Sequence, residues 1–251
     1  MRILLTNDDG IHAPGLALLE RIAAELSDDV WVCAPAEEQS GAGHSLTLHM
    51  PVRLQQHGER RFAVTGTPTD AVNLALRKLF TDRRPDLIIS GINNGENLAD
   101  DVTYSGTISA AMEGALAGMK AVALSQATRD GGHGFAAAEV WAERVLRPLL
   151  DLPLARRTLV NVNFPAVAAD TVRGIRVARQ GFHDYARGSL VEGTDPRGRP
   201  YFWFGLDDVE HTLDHGTDLE AVDDGFIAVT PLQLDLTHHA SIGQLAESYA
   251  A

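Results

Sequence analysis

Short apolar runs rich in β-branched residues alternate, along the first two thirds of the chain, with longer segments whose apolar residues recur every three to four positions. That alternation predicts a parallel sheet covered by helices. Arg2–Thr6 reads as the first strand, Leu19, Ile22, Ala23 and Leu26 as one face of a helix, and Val30–Ala34 as the second strand. "SLTLHMPVRLQ" alternates like a half-exposed strand and suggests a hairpin with Arg61–Val64. In "GTPTD", Thr67 suits a helix cap and Pro68 the first turn of a helix over Ala71–Phe80. Strands are further expected over Leu87–Ser90, Ala121–Leu124 and Thr158–Val162, with helices over Ile108–Gly118 and Phe135–Leu150.

To about Pro165 this is the pattern of a Rossmann-like α/β fold with a doubly wound, mostly parallel sheet. The pattern then changes. Charge, Gly and Pro dominate from "HDYARG" to "DHGTD", with an aromatic strand "YFWF" inside, which predicts a protruding β-hairpin and an irregular arm. Phe226–Thr230 returns as a strand and "IGQLAESY" suggests a short terminal helix. The arm has too few apolar residues for a core of its own, so one domain over 1–251 is expected, with its core at about 1–165 and an extension at about 166–251.

The chain has 251 residues, long enough for a sizeable core, and 21 basic against 34 acidic residues give a formal charge of −13. With no basic stripe, nucleic-acid polymers and anionic membranes are poor partners, although a small phosphorylated ligand is not excluded. The lone Cys33 cannot form an internal disulfide and reads as a small buried hydrophobe. The N-terminal apolar run is too short for a signal peptide, and no later run reaches the roughly 20 residues that span a bilayer, so a soluble cytoplasmic protein is expected.

The first strand runs into Asp8 and Asp9, two like charges that repel unless water or a cation separates them. In an open parallel sheet the loops leaving the carboxyl ends of the strands share one rim. That rim collects Asp8, Asp9 and Gly10, then Ser40, Gly41, Gly43 and His44, then Asn93, Asn94 and Asn97. Two carboxylates, a hydroxyl and an amide oxygen form a hard donor set that favours Mg²⁺ or Mn²⁺ over zinc. Taken alone, Asp8-Asp9-Gly10 is as readily an ordinary turn. "YSGTISAAMEG" adds Ser105, Gly106 and Thr107 at a helix start, where free N–H groups attract anions. Plain N-capping by Ser or Thr is the commoner use of such residues. The segment lacks the lysine of a P-loop, so a phosphate bound there would need a metal beside it. Metal and phosphate together are the equipment of ester hydrolysis: the cation polarises a phosphoryl oxygen and lowers the pKa of a water, and one aspartate orients that water or takes its proton.

"MRILLTNDDGIHAPGL", "VCAPAEEQSGAGHSLTL", "GTPTDAVNLAL", "PDLIISGINNGENLADDVTYSGTISAAMEG", "NVNFP" and "GTDLEAVDDGFIAVTPLQLDLT" together resemble the SurE family, the stationary-phase survival protein E nucleotidases. The resemblance runs in order from Met1 to about Thr237. It implies a metal-dependent phosphatase acting on nucleoside 5′- and 3′-monophosphates, with one Mg²⁺ or Mn²⁺ per subunit. It also implies a homodimer or homotetramer built partly through exchanged C-terminal segments. By this resemblance the metal ligands fall on Asp8, Asp9, Ser40 and Asn93. The phosphate-binding and active-site residues fall on Asn97, Ser105, Gly106 and Thr107, with Asp8, Asp9 and Asn97 as the catalytic set. Asn94 falls where the family varies and is given no role. Only the resemblance supplies the nucleoside; the spacing alone fits a broad-specificity phosphomonoesterase or exopolyphosphatase equally well.

Other candidates have plainer readings. His44 could reach the rim as a proton donor, but an exposed loop histidine is the simpler expectation. His238, His239, His211 and His215 lack the pattern of a zinc site and read as surface residues, as do Asp207, Asp208 and Glu210. Tyr201, Phe202 and Trp203 suit arm or interface packing better than base stacking. Arg187, Arg197 and Arg199 would steer phosphate only if the arm folds over the rim. Two rival mechanisms stand beside metal-assisted hydrolysis. One makes an aspartate the nucleophile, but haloacid dehalogenase-like phosphatases carry Asp-x-Asp where these aspartates are contiguous. The other is a non-catalytic nucleotide-binding module, which has no use for paired carboxylates beside a phosphate.

Overall fold

A computed structural model describes residues 1–129, 134–183, 188–206 and 214–250. Asp207, Asp208, Glu210, His211 and Arg187 lie outside the described residues. The chain starts with β1 (Arg2–Thr6), α1 (Pro14–Ala24) and β2 (Asp29–Pro35), then runs through β3 (Leu54–Gly58), β4 (Arg61–Val64), α2 (Pro68–Lys78) and β5 (Leu87–Asn94). Next come α3 (Gly106–Leu116), β6 (Lys120–Gln126), α4 (Ala136–Asp151) and β7 (Thr158–Phe164). The remainder holds β8 (Ile175–Val177), β9 (Gly188–Thr194), β10 (Pro200–Leu206), α5 (Asp218–Asp223), β11 (Ile227–Gln233) and α6 (His239–Tyr249).

Nine strands form the main sheet in the order β3-β4-β2-β1-β5-β6-β7-β11-β8. From β4 to β7 all pairings are parallel, while β3 and β11 pair antiparallel with β4 and β7. The strand order reverses between β1 and β5, and the crevice at the carboxyl ends of those two strands is where an open sheet of this kind binds ligands. Asp8 and Asp9 follow β1 after Asn7, and Asn93 is the last residue but one of β5. The order of apolar residues along β1 explains the two layers of helices. Ile3 and Leu5 face the core shared with Leu16 and Leu19 of α1 and Leu146 of α4, whereas Leu4 faces Val72 and Ala75 of α2. α2 begins with the cap expected from "GTPTD": Thr67 and Asp70 form a reciprocal capping box and Pro68 occupies the first turn.

One expected element is corrected. "SLTLHMPVRLQ" is a strand only from Leu54 onward, and Ser45–Val52 runs as irregular backbone. Its alternation is overridden by side-chain bonds: the Thr47 N–H and hydroxyl both donate to the Asp70 carboxylate, at 3.1 and 2.5 Å, and Thr67 Oγ1 donates to the Ser45 carbonyl. Leu46, Leu48 and Met50 stay exposed. Three short pieces were not expected from the pattern: β8, α5 and the 3₁₀ turn Ala99–Thr103.

Asp218 ties the C-terminal third to the loop after β5. Fully buried, its carboxylate accepts from the N–H groups of Ala99 at 3.0 Å, Gly181 at 2.8 Å and Leu219 at 3.0 Å. Asp218→Ala would leave these buried donors unpaired and is expected to cost on the order of 3 kcal/mol, measurable as a lowered urea midpoint.

Candidate active site

The turn after β1 is held from three sides. Gln39 N–H donates to the Asp8 carbonyl at 2.8 Å, Ile11 N–H to the Pro35 carbonyl at 2.7 Å, and Asn7 Nδ2 to the Gly10 carbonyl at 3.0 Å. Asp8 is buried, and the Thr107 hydroxyl and N–H both donate to it. α3 meets this carboxylate at Gly106, where a Cβ would stand 2.7 Å from Asp8 Cβ and 3.0 Å from the Pro68 ring. Only glycine permits that approach. The backbone N–H of Asn94 donates to the Asp9 carboxylate, a contact any residue type would supply, while Asp9 Oδ2 is buried without a hydrogen-bond partner.

Burial pushes the Asp8 carboxyl upward, against the hydrogen bonds of Thr107, and Glu38 adds a like charge. Asp9 is pushed up to about 6, first by burial and then by repulsion from Asp8 and Glu38. A pair of acids held this way lacks a positive partner, and an acceptor-only oxygen left bare in the interior is what a hard cation satisfies. The donor set therefore fits a divalent metal on its own chemistry. Among the described residues no three His, Cys, Asp or Glu side chains gather as a metal cluster, here or elsewhere, so a cation at this turn would lean on the hydroxyl and amide oxygens as well as the two carboxylates.

The remaining expected residues take distinct positions. Ser40 is exposed and its hydroxyl donates to Glu38 Oε1 at 2.8 Å; Asn93 Nδ2 donates to the Gly95 carbonyl at 2.9 Å. Ser105 caps α3, its Oγ accepting from Ile108 N–H at 3.1 Å. Ser105 and Thr107 thus use their hydroxyls internally, and what remains to attract an anion is the helix N-terminus itself. Asn97 is buried and clamped. Its N–H donates to Asn163 Oδ1 at 2.8 Å, its carbonyl accepts from Asn161 at 2.8 Å and Asn163 at 3.1 Å, and its own amide donates to Ser125 at 2.8 Å.

Sequence reasoning gave no role to Asn161 and Asn163, though "NVNFP" carried the signal: two amides two residues apart in an apolar strand point to one face. Nor did it single out Glu38. His44 is an exposed loop residue, as expected, and its Nε2 lies 2.6 Å from Glu113 Oε1 while Asn73 donates to Glu113 Oε2 at 2.6 Å. Glu113 stands about 10 Å along α3 from its start, at 1.5 Å rise per residue. Arg197 and Arg199 donate their backbone N–H groups to Asp195 in the hairpin turn. Cys33 is buried, with its thiol pushed up to about 12 by burial.

Residues 3–187 match the family model described as survival protein SurE. The chain is 66% identical over 251 residues to the 5′-nucleotidase SurE of Erythrobacter litoralis, covering 99% of this chain and 100% of that one. It is 57% identical over 253 residues to the 5′-nucleotidase SurE of Rhizorhabdus wittichii, at 99% and 100% coverage. Among solved structures it is similar to the SurE protein of Aquifex aeolicus, with a TM-score of 0.86, 35% identity and 99% of each chain covered.

Proposed function

The chain belongs to the survival protein SurE family, and from that membership we propose that it is a 5′-nucleotidase, a phosphatase that hydrolyses nucleoside monophosphates to nucleoside and inorganic phosphate. The observation that carries the chemistry is the pair of buried Asp8 and half-buried Asp9, with both carboxyls pushed upward and Asp9 Oδ2 unpaired, beside the start of α3. Asp8, Asp9, Ser40 and Asn93 would hold one divalent cation per subunit, Mg²⁺ or Mn²⁺ by the hardness of their oxygens. Such a cation supplies polarisation of a phosphoryl oxygen and a more acidic water.

The chain's own residues do the rest. Thr107 fixes the Asp8 carboxylate and the Asn94 N–H fixes one oxygen of Asp9, so that one aspartate would stay an anionic ligand while the other orients a water or takes its proton. The N-terminus of α3 draws the phosphoryl oxygens at Ser105, Gly106 and Thr107, and the amide net holds Asn97 at the same rim. Action on 3′- as well as 5′-monophosphates and a cytoplasmic setting belong to the same proposal. So does assembly as a homodimer or homotetramer. Assembly is supported by the apolar residues that α6 and the β9-β10 hairpin leave exposed, among them Ile242, Leu245, Tyr249, Leu190, Val191 and Trp203. No helix among the described residues is long and apolar enough to cross a membrane.

Phosphate release by metal-stripped protein, with and without Mg²⁺ or Mn²⁺, tests the proposal on nucleoside 5′- and 3′-monophosphates, sugar phosphates and short polyphosphate. Release that requires metal and favours nucleotides is expected. Equal rates without metal would remove the cation from the mechanism, and equal rates on sugar phosphates would widen the substrate class.

A further inference from the structure

Glu38 stands on the loop after β2, two residues before Ser40, and the fold brings that loop onto the aspartate turn. Gln39 N–H bonds the Asp8 carbonyl at 2.8 Å. Gly10 lies against the peptide between Glu37 and Glu38: a Cβ there would stand 3.3 Å from the Glu37 carbonyl carbon and 3.4 Å from Glu38 N, and its φ of +101° disfavours any side chain. The charge of Glu38 is felt by both Asp8 and Asp9. Its recorded partner is Ser40, whose hydroxyl donates to Oε1 at 2.8 Å.

A serine hydroxyl has one hydrogen and two lone pairs. Were that hydrogen turned toward the aspartate turn, the lone pairs would point away from Asp8 and Asp9. Glu38 removes that option. We propose that Glu38 is a positioning residue of the cation site, taking the Ser40 hydrogen so that the hydroxyl oxygen turns its lone pairs toward the side of Asp8 and Asp9. Because the bond is charge-assisted, it also makes that neutral oxygen a better donor. The proposal rests on the reading of Asp8, Asp9, Ser40 and Asn93 as a cation site.

The test is direct Mn²⁺ binding to the metal-free full-length protein, read from the electron paramagnetic resonance signal of free Mn²⁺. The wild type is compared with Glu38→Ala, Glu38→Gln, Ser40→Ala, Glu38→Ala/Ser40→Ala and Asp9→Ala, each checked for folding by circular dichroism. Glu38→Ala is expected to weaken binding about 10-fold or more, the scale of losing a partner that orients a ligand, with Glu38→Gln falling between it and wild type. In the Ser40→Ala background, removing Glu38 should cost nothing further, because the residue acts through that hydroxyl. Affinity within twofold of wild type in Glu38→Ala, or an equal loss with and without Ser40, would overturn the role of Glu38. Wild-type protein that binds no Mn²⁺, or binds it equally well as Asp9→Ala, would instead bring down the cation site itself.

Discussion

Asp9→Ala is expected to lower kcat for a nucleoside 5′-monophosphate by about 10³-fold, the scale of losing a preorganised group that stabilises a transition state. The loss follows from position. Asp9 is the half-buried carboxylate at the switch point of the sheet whose Oδ2 has no hydrogen-bond partner. Asp8→Asn should show the same pattern more subtly, since asparagine keeps the shape but not the charge, and its amide would face the Thr107 hydroxyl that now donates to Asp8. Steady-state kinetics with Mg²⁺ and Mn²⁺ check both variants. A non-catalytic binding module would bind nucleotide without hydrolysing it, whereas here kcat must fall far more than KM rises. Trapping of a phosphorylated Asp8 or Asp9 would replace the water mechanism by an aspartyl-phosphate one.

Most of the parallel sheet was legible because each strand is a short apolar run buried on both faces, and each helix carries its own period. Arg2–Thr6 and the Thr67–Pro68 cap are such cases, fixed by local chemistry that tertiary contacts reinforce. The segment from Ser45 to Val52 failed for the opposite reason. Its alternation is a true local signal, but Asp70 and Thr67, more than twenty residues on, claim its backbone and hydroxyls first. β8 and α5 are too short to show a period, and they form only because β11 and the buried Asp218 give them partners.

At the site, the aspartates, Ser40, Asn93 and Ser105-Gly106-Thr107 could be assembled on paper from the rim rule, since each directly follows a strand or opens a helix. What supports them was not visible. Asn161 and Asn163 act on Asn97 from more than sixty residues away, and Glu38 acts through a single hydrogen bond in a loop whose course no periodicity dictates. Second partners of this kind come from tertiary approach, as at Gly106, and tertiary approach is what a linear pattern omits.

In the metal-free protein the Asp8–Asp9 pair is expected to withdraw stability as pH rises from about 4 to 7, against the trend of carboxylates such as Asp29, Asp86 and Asp235, whose values are lowered. The sign follows from the pair. A carboxyl whose folded value is raised holds its proton more tightly in the native state than in the unfolded chain, so its contribution is fully favourable below the unfolded value and is lost as pH climbs through the folded one. For Asp9 that window runs from 3.8 to about 6, and at about 1.4 kcal/mol per pH unit it amounts to about 2–3 kcal/mol once its partial exposure is allowed for. Asp8 is shifted in the same direction and adds to the loss. Asp9→Asn should therefore stabilise the metal-free protein at pH 7.5 and make no difference near pH 4, although it destroys turnover. Saturating Mn²⁺ should reverse the order. Cation at a thousand times its dissociation constant stabilises the wild type by about 4.1 kcal/mol, more than the deficit that Asp9 imposes, and leaves Asp9→Asn nearly unmoved. Urea denaturation at pH 4, 6 and 7.5, with chelator or with Mn²⁺, measures all of these differences. A stability difference between Asp9→Asn and wild type that does not grow with pH in chelator would mean that Asp9 is stabilised without a cation, and the electrostatic case for a metal there would fall.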